Sequence, residues 1–314
     1  MIRELLCHHP LPTIGTYQAA GVISHDLEKY FIGRIGLFKN QPGDQILDLA
    51  DVIITIGYNP VEYDPEIWNS YQTKKIIHIN YMPANIRNTY APTLEVIGNI
   101  ALNIEKIILQ LNPSSAFTLP EAIQKIQRIN LEKIQAGKNH AGPRIHPLRF
   151  INDLRTLLSD EDTVISDIGS HYIWLARYFY SYEPHHLLFS NGQQTLGVAL
   201  PWAIAARLAK SKGRIISISG DGGFLFSAAE LETAVREKIP LVHCVWCDGT
   251  YNMVLEQERI KYHRDSAVHF GAVDIVKFAE SFGAHGFKVT HADQLIPILK
   301  QAIGINSALT HIKR

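Results

Sequence analysis

Cysteine is scarce: three in 314 residues, too few to staple a chain of this size. A reducing cytoplasm is therefore the expected compartment. Charge of either sign is not in surplus, since 30 Lys and Arg face 30 Asp and Glu. That balance removes the electrostatic pull expected of a nucleic-acid or membrane-surface binder. No apolar run approaches the roughly 20 residues of a membrane span. The opening MIRELLCHHPLP carries one Arg, one Glu and too short an apolar core for a signal peptide. The 15 histidines include the pairs His8-His9 and His185-His186 but no HExxH or similar spacing, and most read as surface residues. A GxGxxG fingerprint is missing, as are internal repeats and low-complexity tracts.

What is present reads as α/β. A length of 314 residues favours two domains with ample core. Residues 13–111 alternate strand-like and helix-like runs: helical spacing over 18–31, buried strands at 52–56 and 76–79, and 95–97 leading into a helix over 99–111. The texture changes at 113–143. Pro113-Ser-Ser, a mostly polar helical stretch over 120–135 and a Gly- and Pro-containing tail predict a linker with a helix on the surface. From 144 to 314 a second α/β domain follows, with helices over 146–158, 171–180, 196–210, 252–262, 274–282 and 292–303. The expected fold is two domains, each a mainly parallel sheet flanked by helices, bounded at 1–112 and 144–314.

The most informative stretch is 215–253. Ile215-Ile216-Ser217-Ile218 reads as a buried parallel strand, broken by Gly220-Asp221-Gly222-Gly223. Ser227 with Glu230 forms a capping box that predicts a helix start, and Pro240 stops that helix. Leu241 to Cys247 is the next apolar run, ending at Asp248-Gly249. One carboxylate thus stands at the carboxyl end of each strand, where open parallel sheets bind ligands. Two hard oxygen ligands suit Mg²⁺ together with phosphate oxygens. The adjacent glycines let backbone amides approach a phosphate near a helix amino terminus. Cys244 and Cys247 are formally CxxC, but three residues apart in a strand they face opposite sides and read as core packing.

GDGGFLFSAAELETAVREKIPLVHCVWCDGTYNMV (220–254) resembles the thiamine-diphosphate motif of catabolic acetolactate synthases, which join two pyruvates and release carbon dioxide. The family's usual asparagine before the metal-binding position is replaced by Cys247. GLFKNQPGD (36–44) and ADVIITIGYNPVEYDP (50–65) resemble the same family's central domain. Several roles follow from the resemblance. Asp221, the Asp248 side chain and the Thr250 carbonyl would hold Mg²⁺. Gly220, Gly222, Gly223 and the Tyr251 amide would serve the diphosphate, as would Gly169, Ser170 and His171 of DIGSH (167–171). In SNGQQTLGVALPWAIAA (190–206), the Gln194 carbonyl would accept from the aminopyrimidine amine and Leu196 would bend the cofactor. Gln193 departs from the methionine expected there. No FAD is expected, because the catabolic branch does without the flavin of its anabolic relatives.

The resemblance implies that the chain starts inside the central domain, without the pyrimidine-binding domain and its activating glutamate. A separate pyrimidine-domain chain, pyruvate and further copies of this chain are the expected partners, with no nucleic acid or membrane. The alternative is a catalytically inactive remnant or assembly partner. The final apolar strand of the family is also expected to be missing, with 308–312 a weakly patterned substitute.

Overall fold

The computed structural model describes every residue except 113–116, 210, 211, 306, 307 and 314. The start of the expected linker and the end of the helix expected over 196–210 lie outside the described residues. The chain divides into two compact units, Met1–Glu132 and Lys133–Arg314.

Unit 1 opens with α1 (Ile2–His8) and a parallel pair, β1 (Thr13–Thr16) and β2 (Phe31–Ile35). The long helix expected over 18–31 does not form. Two 3-10 turns, Tyr17–Ala19 and His25–Tyr30, stand there instead, and 31–35 is strand. Gly21 sits at φ 85, which α-helix geometry does not use. The Arg3 guanidinium donates to the carbonyls of Gly21 and Val22, so those acceptors are occupied outside a helix. α2 (Pro42–Leu49) follows, with Pro at its start and Asp44 accepting from the Gln41 amide at 2.7 Å. Next come β3 (Val52–Ile56), α3 (Pro65–Trp68), β4 (Lys75–Asn80), β5 (Leu94–Ile97) and α4 (Ile100–Gln110). β3, β4 and β5 form a second parallel sheet in that order.

α5 (Glu121–Ala136) is helical as the pattern predicts. It does more than ride on the surface. Ile123 and Asn130 are buried, and Gln127 Nε2 reaches the carbonyls of Glu28 and Phe31. Ile32, Ile46, Leu119 and Ile123 make one apolar cluster.

Among the described residues, unit 2 carries six parallel strands in the order β10-β11-β9-β8-β6-β7. They are β6 (Thr163–Ser166), β7 (Leu187–Phe189), β8 (Ile215–Gly220), β9 (Val242–Cys247), β10 (His285–Val289) and β11 (Ala308–Lys313). β6, β8 and β9 are buried along almost their whole length, as their β-branched composition requires. Flanking them are α6 (Pro147–Leu157), α7 (Ser170–Tyr178), α8 (Ala199–Ala209), α9 (Asp221–Ser227) and α10 (Glu230–Arg236). α11 (Asn252–Tyr262), α12 (Ile275–Ser281) and α13 (Leu295–Ile303) complete the set. The weakly patterned 308–312 becomes a full strand, with Leu309, Thr310 and Ile312 buried between β9 and β10.

The capping-box expectation fails in place. The helix after β8 starts at Asp221, not after Ser227, and α10 has Ala229 before it with no side-chain cap. Phe224 explains the earlier start. A helical turn from Asp221 buries its ring in the core with Leu231 and Val245, leaving it 1% exposed.

Candidate functional site

Strand order fixes where a ligand belongs in unit 2. β6 pairs with β7 on one side and β8 on the other. The chain leaves the carboxyl end of β6 toward β7 and that of β8 toward β9, in opposite directions, and this opens a crevice between those two strand ends. Three turns meet there: 167–170 after β6, 220–223 after β8 and 248–252 after β9.

Asp221 lies at the centre. Its carboxylate accepts the amides of Asp248 at 3.0 Å and Gly249 at 2.7 Å through Oδ2, and that of Gly222 at 3.0 Å through Oδ1. Adjacent parallel strands in register, Gly220 beside Trp246, make this reach possible. Burial pushes the Asp221 carboxyl up against the Gly249 amide, and the Asp248 charge pushes the same way. Two carboxylates so close favour a cation between them. Asp248 Oδ1 in turn accepts from the Thr250 amide at 3.1 Å and the Thr250 hydroxyl at 2.8 Å, which fixes the loop. Among the described residues no cluster of three or more His, Cys, Asp or Glu is preassembled for a metal. A cation here would rest on two carboxylates, a carbonyl and oxygens brought by its ligand, the donor set Mg²⁺ accepts.

The other turns are tied to this centre. Ser170 donates from Oγ to Asn252 Oδ1 at 2.6 Å, joining the β6 and β9 turns. His171 is 3% exposed, and its ring lies where a Cβ on Gly169 would come within 2.8 Å of Cε1. Gly169 itself has φ 149, a backbone that L side chains avoid. A Cβ on Gly222 would meet the Tyr251 ring at 2.5 Å, so the glycine admits the aromatic. The Tyr251 amide, expected to serve the diphosphate, donates to the Val268 carbonyl at 2.9 Å. Its ring also packs against Phe270, with centroids 5.1 Å apart.

Gln194 stands at φ 51 on an exposed loop, and Leu196 beside it is half-buried rather than in the core. The loop is held from below by Asp167, which sequence reasoning did not single out. Its carboxylate accepts the Gly197 amide on both oxygens and caps the start of α8. A Cβ on Gly223 would lie 3.0 Å from Asp167 Oδ2, so this carboxylate lies beneath two turns at once. Asn252 was missed as well. The signal for Asp167 was its place at a strand tip ahead of Gly-Ser, and for Asn252 its place in the turn after Asp248. Two buried donors near these turns, Trp246 Nε1 and Asn191 Nδ2, have no partner among the described residues.

Comparison with known proteins decides the family. Residues 167–312 match the family described as thiamine pyrophosphate enzyme, C-terminal TPP binding domain, and residues 1–107 match the thiamine pyrophosphate enzyme central domain. The chain belongs to the thiamine pyrophosphate enzymes. It is 51% identical over 306 residues to a Bacillus subtilis acetolactate synthase, covering 96% of this chain and 53% of the relative. It is 44% identical over 293 residues to the catabolic acetolactate synthase of Raoultella terrigena, covering 91% and 52%. A probable acetolactate synthase large subunit from Methanococcus aeolicus is 29% identical over 310 residues, covering 93% and 51%. This thiamine pyrophosphate enzyme chain therefore spans about half the length of the curated relatives it matches. Within it, the three turns at the switch point all fall inside the segment matching the TPP binding domain. Among the described residues, no helix is long and apolar enough to cross a membrane.

Proposed function

We propose that this chain anchors Mg²⁺–thiamine diphosphate for an acetolactate synthase that condenses two pyruvates into 2-acetolactate with release of carbon dioxide. The observation that carries the reading is Asp221, whose carboxylate accepts backbone amides from the adjacent strand's turn beside the Asp248 carboxylate. When bound, the cofactor supplies the electron sink for 2-oxo-acid decarboxylation.

The chain's own residues do the holding. Asp221, Asp248 and the Thr250 carbonyl supply oxygen to the cation. Gly169, Ser170, His171, Gly220, Gly222 and Gly223 surround the diphosphate at the turns opening α7 and α9, whose amino termini favour its charge. The Gln194 carbonyl and Leu196 side chain form the wall for the rings. The Tyr251 amide is left out of this set, because it is satisfied by Val268. No flavin enters the scheme.

A pyrimidine-binding domain carrying the activating glutamate would complete the site. Exposed apolar side chains support assembly with further protein: Phe226 on α9 is 64% exposed, Leu225 beside it 40% and Trp202 on α8 38%. The cytoplasm is the compartment that suits three free cysteines.

Calorimetry with thiamine diphosphate and Mg²⁺ tests the anchoring. Wild type should bind, and Asp248→Asn should bind at least tenfold more weakly with its melting temperature unchanged. Equal binding by both proteins removes the site. Mixing wild type with a pyrimidine domain and assaying acetolactate, read as acetoin after acid decarboxylation, tests the activity. Cofactor binding without product under any pairing would leave the second reading, an inactive cofactor-binding or assembly partner.

A further inference from the structure

Ser217 and Ser219 of β8 and His243 of β9 are polar side chains inside apolar strands, each at most 1% exposed. Ser217 stands opposite His243 in the parallel register, so their side chains share one face of the sheet, and Ser219, two residues on, shares it too. The imidazole lies along β8 between the two hydroxyls. Its Nδ1 is 2.7 Å from Ser217 Oγ and its Nε2 is 2.9 Å from Ser219 Oγ.

Burial pushes His243 down to about 3, and His171 pushes the same way, so the ring is neutral. A neutral imidazole has one N–H and one lone pair, which two serine hydroxyls, each able to give or take, satisfy completely. Buried polar groups held this way specify one arrangement, where apolar side chains of similar size admit several. Phe224 of α9 also packs on the imidazole, with centroids 5.6 Å apart, and Phe278 of α12 backs Phe224 at 5.8 Å.

These contacts surround Asp221 in sequence. Ser219 comes two residues before it, Phe224 three residues after it, and His243 itself five residues before Asp248. The ladder between β8 and β9 ends at Gly220 beside Trp246, so both carboxylates lie beyond its last rung. What aligns them there is the clasp in which Asp221 Oδ2 accepts the Asp248 and Gly249 amides. The Gly249 bond is 2.7 Å long, and such bonds leave the ordinary range beyond about 3.2 Å. A displacement of about half an ångström at Asp221 therefore opens the clasp.

We propose that His243 is a positioning residue for the two carboxylates: gripping Ser219 ahead of Asp221 and Phe224 behind it, the imidazole holds Asp221 within reach of the Asp248 turn. Ser219 is the arm that acts on the site, and Ser217 anchors the other end of the ring in the body of the sheet. That Asp221 and Asp248 then serve a cation rests on the function proposed for this chain, which calorimetry on the wild type decides separately.

Hydrogen exchange on the full chain tests the grip with no cofactor added. Ser217→Ala and Ser219→Ala each delete one buried hydroxyl and leave one ring nitrogen unpaired, so they should lower the melting temperature by similar amounts. Ser219→Ala should speed exchange of the Asp248 and Gly249 amides at least tenfold, and Ser217→Ala should leave both within threefold of wild type. The Val164 amide, which donates to the His186 carbonyl on the β7 side of β6, is the internal reference. Ser219→Cys keeps a weak donor in nearly the same volume, should fall between the two, and serves if Ser219→Ala does not fold. In calorimetry with thiamine diphosphate and Mg²⁺, Ser219→Ala should bind at least tenfold more weakly than Ser217→Ala. Equal exchange in the two serine variants would reduce His243 to a core contact and overturn the proposal, as would equal binding by two variants whose exchange differs. Wild type that binds no cofactor, with exchange divided as expected, would remove the cation reading and leave the positioning of Asp221 in place.

Discussion

Asp167 grips the Gly197 amide with both carboxylate oxygens, Oδ2 at 2.8 Å and Oδ1 at 3.1 Å, across 30 residues of sequence. Asp167→Ala should leave that amide and the first amides of α8 without their buried acceptor, costing about 2–3 kcal/mol. Asp167→Asn keeps one acceptor oxygen and should cost less. Chemical denaturation of the two variants beside wild type checks the ranking.

The same carboxyl predicts a pH effect. Burial pushes it up to about 6, against the amides of Ile168, Gly197, Ala199 and Val198. The folded chain then holds this proton more tightly than the unfolded chain does. Its contribution is complete below about pH 4 and is lost as pH rises through about 6, for roughly 2–3 kcal/mol in all. Asp167→Asn cannot titrate, so wild-type stability relative to this variant should fall between pH 4 and 7. A flat difference over that range would exclude the effect.

Asp162 predicts the opposite slope in a lower window. Burial alone would raise its carboxyl, but the guanidinium and amide of Arg214 and the Ser159 amide outweigh that and hold it at about 2. Ser159 and Arg214 amides both donate at 2.7 Å. This stability is present above about pH 4 and lost as pH falls through 2, about 2 kcal/mol in all. Acid titration of wild type against Asp162→Asn should show the loss in wild type alone.

Gly222 separates close packing from loop flexibility. A Cβ there would lie 2.5 Å from Tyr251 Cε1, so Gly222→Ala must displace the ring and should cost about 1–3 kcal/mol. Gly271→Ala, at a position with open space, should stay within about 0.5 kcal/mol of wild type. Thermal melts of the two variants give the comparison.

Thiol reactivity should divide sharply. Cys7 is exposed, Cys244 is buried with its thiol pushed up to about 12, and burial with the charges of Asp221 and Asp248 also raises Cys247. One equivalent of a thiol reagent should react with native protein, at Cys7, and three after unfolding. Fast labelling of Cys247 in the native chain would contradict its placement.

The parts of the site that were legible are those written in consecutive residues. Asp221 and Asp248 each follow a β-branched strand, and a parallel crossover brings two such ends side by side without further information. Asp167 was hidden because its role depends on Gly197, and nothing local to either residue announces the pairing. β1 and β2 were hidden for a related reason. TIGT and FIGRI each contain a glycine and are short, so their strand pattern is weak and only pairing defines them. The helix at Asp221 was misread because Ser227 and Glu230 satisfy a capping pattern, while burial of Phe224 carries more free energy than a cap. The Tyr251 amide shows the limit of carrying roles over by motif, since its partner, Val268, lies outside the motif.

β11 is the last of the described strands yet is flanked on both sides, by β9 and by β10. β9 and β10 therefore have no shared hydrogen-bonded neighbour until residues 308–313 arrive. A sheet holding β6 to β10 without residues 308–313 would keep an open seam in its interior, which β11 closes from within. A stall or frameshift that removes those few residues would split a nearly finished sheet down its interior rather than trim its border.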